Sequence, residues 1–323
     1  MAIYPVNNHD RSHTIFILCI VFILYFAFGK LGLLVAIPGT NVTPIWPPSG
    51  LALGVVLLFG IRVLPAIFLG SSILNSTMLV GIVPDASWWT ILSVSTITGI
   101  GATLQAAFGL FLIHYFANVH ALFDSVTSVV KFLFAAVLSC LINSNIGVLA
   151  LCFSNIISWN DYPSVWWTWF IGDIGGAFVV TPLILTWAHL PPLQEFTTRK
   201  CELLALLASI GAVIFLTTIQ DAQFKYLLLP CLVWATMRFN LPIAIGINAL
   251  IATILVLAHI NGYGLFQITP ISTDLFNLTC FITVLTGTVL MLSAESANKN
   301  APQYLWTRKP RSLIQFFKHW WHR

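Results

Sequence analysis

Asn41-Val42-Thr43-Pro44-Ile45-Trp46-Pro47-Pro48-Ser49-Gly50 is a polar, proline-broken approach to an apolar run too short to cross a bilayer by itself. It reads as a helix start sunk below the membrane surface. Proline at the first helical position is already bent for a helix. The backbone N–H groups that follow it lack intrahelical partners and carry the positive end of the helix dipole. Such an end attracts anions or hydrogen-bond acceptors, and either a ligand or a neighbouring piece of chain can supply them.

The rest of the chain supports a membrane setting. Of its 323 residues 58% are hydrophobic and 7% charged, and the mean hydropathy is +0.92; a soluble domain carries about 25% charged residues. We expect one membrane-embedded domain over residues 14–294, a cytoplasmic head at 1–13, a basic aromatic tail at 295–323, and no separate soluble catalytic module. The first apolar run, Thr14 to Ala36, follows Arg11 and lacks a small-x-small cleavage site, so it reads as a retained signal-anchor helix. Cys19, Cys140, Cys152, Cys201, Cys231 and Cys280 are scattered through apolar runs without Cys-x-x-Cys spacing and read as reduced fillers. No histidine pair within the membrane runs has metal-ligand spacing, so neither a metal nor a cofactor is expected. His114, His120 and His189 fall near expected helix ends and read as interfacial.

Apolar runs in chain order give ten segments, at about 14–36, 48–60, 63–80, 88–114, 125–152, 164–188, 201–219, 226–238, 241–260 and 273–294. The expectation is an all-α polytopic bundle of 8–10 transmembrane segments with two short or broken helices, 48–60 and 226–238. A 13-residue helix spans roughly 20 Å against a hydrocarbon core of about 30 Å, so each short helix begins or ends inside protein. Lys and Arg accumulate on the cytoplasmic side. Arg11, Arg62, Lys131, Arg199, Lys200, Arg238 and the tail cations Lys299, Arg308, Lys309, Arg311, Lys318 and Arg323 then share one side, with only Lys30 and Lys225 toward the other. Both termini are therefore expected in the cytoplasm. Trp46, Trp88, Trp89, Trp159, Trp166, Trp167 and Trp169 would gather near the outer interface. A faint repeat links Arg62-Val63-Leu64-Pro65 with Gly70 to Arg238-Phe239-Asn240-Leu241-Pro242 with Gly246. Duplication explains it, and so does the shared need of any tight inner hairpin for Arg at one helix end and Pro at the next start.

Asp173, in Trp169-Phe170-Ile171-Gly172-Asp173-Ile174-Gly175-Gly176, is the most informative single residue. An ionisable group inside a span faces the bundle interior and takes a partner. Lys30, at comparable depth by counting from helix ends, is the expected one, with a simple pin between two helices as the plainer role. Gly172, Gly175 and Gly176 would let another backbone approach. Asn75, Gln105, Asn143 and Asn145 are expected to hydrogen-bond between helices. No nucleophile–base–orienter set, Walker loop or dinucleotide fingerprint can be assembled, so enzymatic activity is not expected. The tail cations and aromatics suit an anionic inner leaflet, and no fold supports nucleic-acid binding.

Together these residues resemble the first type of membrane-associated sensor domain, the MASE family of bacterial signalling proteins. The matching blocks are Trp46-Pro47-Pro48-Ser49-Gly50-Leu51-Ala52, Gly60-Ile61-Arg62-Val63-Leu64-Pro65 with Gly70 and Asn75, and Trp169-Phe170-Ile171-Gly172-Asp173-Ile174-Gly175 with Thr181-Pro182-Leu183. Trp234-Ala235, Arg238-Phe239 and Gly262-Tyr263-Gly264 complete them, in the family's order. The resemblance implies a sensory module that precedes a histidine kinase, a diguanylate cyclase or another output domain. Residues 296–323 hold neither linker heptads nor such a domain, so the expectation is a stand-alone receptor acting on a separate kinase or cyclase in the bacterial inner membrane, with a truncated relic or an excised domain as the other readings. The expected site for an unknown small ligand is Trp46, Pro47, Pro48, Ser49 and Asp173, backed by Lys30 and Arg238, with Arg62, Pro65, Gly172 and Gly175 as hinges. A secondary transporter, built on the two broken hairpins, and a scaffold without ligand are the alternatives.

Overall fold

A left-handed glycine sets the topology. Gly60, at φ +73°, ends the second helix, and a single 3₁₀ turn over Gly60–Val63 leads into the third. The computed structural model describes residues 8–36, 43–188, 198–219, 222–263 and 271–300. Asn41, His189, Gly264 and the tail beyond residue 300 lie outside them, as do the side chains of His120 and Lys299. Ten α-helices occur among the described residues: α1 Asn8–Leu34, α2 Pro47–Phe59, α3 Leu64–Ile82, α4 Trp88–Phe116, α5 Val126–Phe153, α6 Tyr162–Trp187, α7 Lys200–Ile219, α8 Leu228–Arg238, α9 Leu241–Ile260 and α10 Ile271–Asn300. Among the described residues eight helical stretches are long and apolar enough to cross a membrane. One of these, Pro47–Ile82, contains the Gly60 break, and α8, with 11 residues, is too short to cross on its own. The all-α membrane bundle with two short helices is thus the observed architecture.

Local chemistry explains the boundaries. Ser87 and Ser125 cap α4 and α5, their hydroxyls accepting from the Thr90 and Ser128 amides at 3.2 Å. Proline occupies one of the first two positions of α2, α3, α6 and α9, where its missing N–H costs nothing. The two short-arm hairpins differ at the joint. Gly60 turns the first, whereas Asn240 turns the second by accepting from the Ile243 amide at 3.3 Å.

Side-chain contacts give the direction of each helix. Tyr25 meets Gly70, Gly29 meets Leu74, and Lys30 reaches Thr77, so α1 and α3 run parallel. Gly32 instead packs on Trp46 and Pro47, which sets the start of α2 level with the later half of α3 and makes α2–α3 a hairpin. Gly50 lies against Gly176 and Gly54 against Ile184, so α2 runs parallel to α6. In turn α6 runs parallel to α10, through Gly175 against Thr279 and Trp167 against Phe276. The start of α1 and the end of α10 therefore lie at the same end of the bundle. Arg62, Lys131, Lys200 and Arg238 fall at that end too, since each stands in or beside a joint there.

The core is central and lined by small residues. On α5, Ala135, Ala136, Ser139, Cys140, Asn143 and Ser144 are buried at helical spacing, and Gly101, Ala102, Gln105, Ala106 and Gly109 do the same on α4. Lipid tails are as apolar as leucine, so close van der Waals packing rather than water exclusion holds such helices together.

Candidate ligand-binding site

The stretch before α2 is wedged between α6 and α10. The Trp46 amide donates to the Gly172 carbonyl at 2.8 Å. The Thr279 hydroxyl donates to the Pro44 carbonyl at 2.8 Å and the Thr181 hydroxyl to the Gly50 carbonyl at 2.9 Å. Ser49 Oγ lies 2.8 Å from the Asp173 carbonyl and 2.9 Å from that of Trp46. Glycine on both helices permits this: a Cβ on Gly176 would overlap the Trp46 carbonyl, and one on Gly50 would overlap the Gly176 carbonyl. Gly172 comes ten residues after the start of α6, or roughly 15 Å along it. The start of α2 is therefore sunk well below the end of its neighbour. At this helix start the Gly172 carbonyl accepts from the Trp46 amide and the Trp46 carbonyl from the Ser49 amide.

Asp173, 2% exposed, faces α5. Its Oδ2 accepts from Asn143 Nδ2 at 3.1 Å. Lys30 is not its partner. Lys30 Nζ donates to Thr77 Oγ1 at 2.9 Å and sits 5.3 Å from the Phe26 ring centroid. The faces of α1 separate the pair. Trp46 and Pro47 pack against Gly32, two residues or about half a turn from Lys30, so Lys30 points from the opposite side of α1, toward α3.

Two adjoining spaces meet at Asp173. One, of about 10 Å³, is lined by Ser49, Gln105, Ser139, Asn143 and Asp173 among others, room for about one water-sized group. The other, of about 220 Å³, runs from Asp173, Asn143 and Trp46 past Asn75 and Trp169 to Ile82 and Ile157, at the end of the bundle opposite the basic joints. Trp46, Ser49, Asp173, Gly172 and Gly175 thus come together, with Pro47 and Pro48 starting the helix. Arg238 does not join them. It sits at the far end, where its Nε donates to Glu202 Oε1 at 2.5 Å. The Arg238 guanidinium is held above its ordinary pKa by that carboxylate. Arg62 and Pro65 are exposed at the α2–α3 joint, away from the cavity.

Several expectations need correcting. Trp46 is not an interfacial tryptophan but a wall of both spaces, because its helix starts deep. Trp169 likewise lines the larger space and packs over Gly147, while Trp88, Trp89 and Trp159 are exposed at helix starts, as a belt requires. Asn75 bonds within its own helix, to the Ser71 carbonyl at 2.9 Å. Asn145 does the same to Leu141 at 2.6 Å, with Tyr162 donating to it from α6 at 3.4 Å. Gln105 and Asn143 do bond between helices, to Cys140 and Asp173. Sequence reasoning missed Tyr25 and Thr279. Tyr25 shares a face with Gly29 and Gly32 at helical spacing, which could have shown it; nothing in its run distinguishes Thr279.

The fold and site define a polytopic helical membrane protein with an acidic, aromatic-walled cavity at a sunken helix start. The chain matches the MASE1 family model over residues 15–298 and belongs to that family, whose members are sensory, non-catalytic membrane domains. Neither the curated proteins nor the solved structures yield a match.

Proposed function

We propose that the chain is a sensory module of the bacterial inner membrane that binds a small ligand beside Asp173 and passes the change to a separate output protein. The observation that carries this reading is the cavity of about 220 Å³ walled by Trp46, Asn143, Trp169 and Asp173, in a chain of a sensory family. An apolar cavity of about 150 Å³ already holds benzene, so the volume suits a ligand somewhat larger than one ring. A ligand shifts the helices only by binding one arrangement more tightly than another. The stretch 43–50 touches α1, α6 and α10 together, so a small displacement of Trp46 reaches three helices at once.

The output partner we propose is a histidine kinase or a diguanylate cyclase. The basic joints, by the preference of Lys and Arg for the cytoplasmic side, support an orientation with the start of α1 and the end of α10 on that partner's side. Labelling single cysteines at Asp85 and Asp124 with a membrane-impermeant reagent tests the orientation, with Asp85 labelled from outside and Asp124 only after lysis.

A secondary transporter is the second reading, supported by the start of α2 midway along α6. Reconstituted protein separates the two. Saturable ligand binding without flux, together with a kinase or cyclase recovered by cross-linking, supports the sensor; substrate accumulation in proteoliposomes supports the transporter.

A further inference from the structure

Asp173 takes hydrogen bonds from the side-chain amides of Asn143 and Gln105, and it is the oxygens of those two amides that are short of donors. Gln105 Oε1 and Asn143 Oδ1 are buried acceptors without a partner, and both residues line the small space beside the Asp173 carboxylate. The Asn143 amide is oriented by donating Nδ2 to that carboxylate, so its oxygen is left over. Several nearby hydroxyls are committed to backbone carbonyls: Ser49 to Trp46 and Asp173, Ser139 to Ala136, Thr98 to Val94 and Thr168 to Val165. The Tyr25 hydroxyl, on the wall of both spaces, is paired with Ser71. Among the described residues, no lysine, arginine or histidine lines either space.

A buried carboxylate requires a counter-charge or a proton. A proton would supply a single donor. The carboxylate and the two orphaned amide oxygens need several, converging from one centre. A primary ammonium offers three N–H donors and the positive charge in one group. The walls add Tyr25, Trp46 and Trp169, and aromatic faces attract organic cations. Resting on the sensor reading and deepening it, we propose that the ligand is a small organic cation whose ammonium N–H groups engage Asp173, Gln105 and Asn143, with its carbon part among Tyr25, Trp46 and Trp169.

The test uses the purified full chain in nanodiscs, with calorimetric titration of n-pentylamine, n-pentanol, pentanoate, tetramethylammonium and sodium ion. The amine is expected to bind more tightly than the alcohol, the carboxylate and the N–H-free tetramethylammonium. Asp173→Asn should weaken the amine by about tenfold or more, and Gln105→Leu, which keeps the charge and guards against a misfolded Asp173 variant, by roughly three- to tenfold. Pentanol or pentanoate binding as tightly as the amine, or amine binding indifferent to both substitutions, overturns the proposal while leaving a ligand-binding sensor intact. Sodium ion displacing the amine at equal affinity overturns the organic cation. Binding of none of the five overturns the proposal, and a signalling assay with the output partner then decides separately whether the sensor reading falls too.

Discussion

The Trp46 amide meets the Gly172 carbonyl at 2.8 Å, midway along α6. That single bond fixes where α2 starts, and it forms only because no side chain stands between the two backbones. Substitutions at the glycines of this contact should therefore follow a steep order. Gly176→Ala would drive a methyl group into the Trp46 carbonyl and Gly50→Ala into the Gly176 carbonyl. Both are expected to abolish a monodisperse, cooperatively melting protein. Gly172→Ala, with the Thr43 carbonyl 3.1 Å from the new carbon, should only lower the melting temperature. Gly211→Ala on α7 meets nothing within 4 Å and should stabilise slightly, by up to about 1 kcal/mol. Equal effects at Gly176 and Gly211 would contradict the close backbone approach.

Lys30 and Asp173 should act independently. With Lys30 on Thr77 and Asp173 on Asn143, the losses from Lys30→Met and Asp173→Asn are expected to add within about 0.5 kcal/mol in the double variant. Lys30→Met and Thr77→Val, by contrast, should be coupled. Equilibrium unfolding of the single and double variants reads both cycles, and strong Lys30–Asp173 coupling would restore the ion pair that the geometry rejects.

The hydroxyls of Thr279 and Thr181 hold the sunken loop from two sides, at 2.8 and 2.9 Å. Thr279→Val is expected to cost about 1 kcal/mol, since an interhelical hydrogen bond inside a membrane contributes about 0.6 to 2 kcal/mol. Thr279→Ser should keep most of it. Reversible unfolding in bicelles measures the difference, and a valine variant as stable as wild type would remove the loop's anchor on α10.

At the opposite end Glu202 gathers three donors. Arg238 binds both its carboxylate oxygens, Trp234 Nε1 donates at 3.2 Å, and Arg199 stands 3.5 Å away. Exposed ion pairs contribute little to global stability, so Glu202→Ala should leave the melting temperature nearly unchanged. Hydrogen exchange at the α8–α9 joint, residues 236–241, should rise, and high salt should have the same effect on the wild type. A large fall in melting temperature would give this cluster a role in the core.

The helices and their breaks were legible because hydropathy and proline placement are one-dimensional signals. The short runs at 48–60 and 226–238 became α2 and α8, and Gly172, Gly175 and Gly176 marked a close approach before any partner was known. Asp173 announced itself as a buried acid for the same reason: a charge in an apolar run stands out. Its partner did not. Counting from helix ends assigns depth only if all helices begin at one level, and the start of α2 breaks that assumption. Tertiary packing alone decided that Lys30 turns to Thr77, that Arg238 pairs with Glu202, that Trp46 leaves the interface for the interior, and that Gln105 and Asn143 frame Asp173. Each depends on which face of one helix meets which level of another, and no local pattern along a chain encodes that.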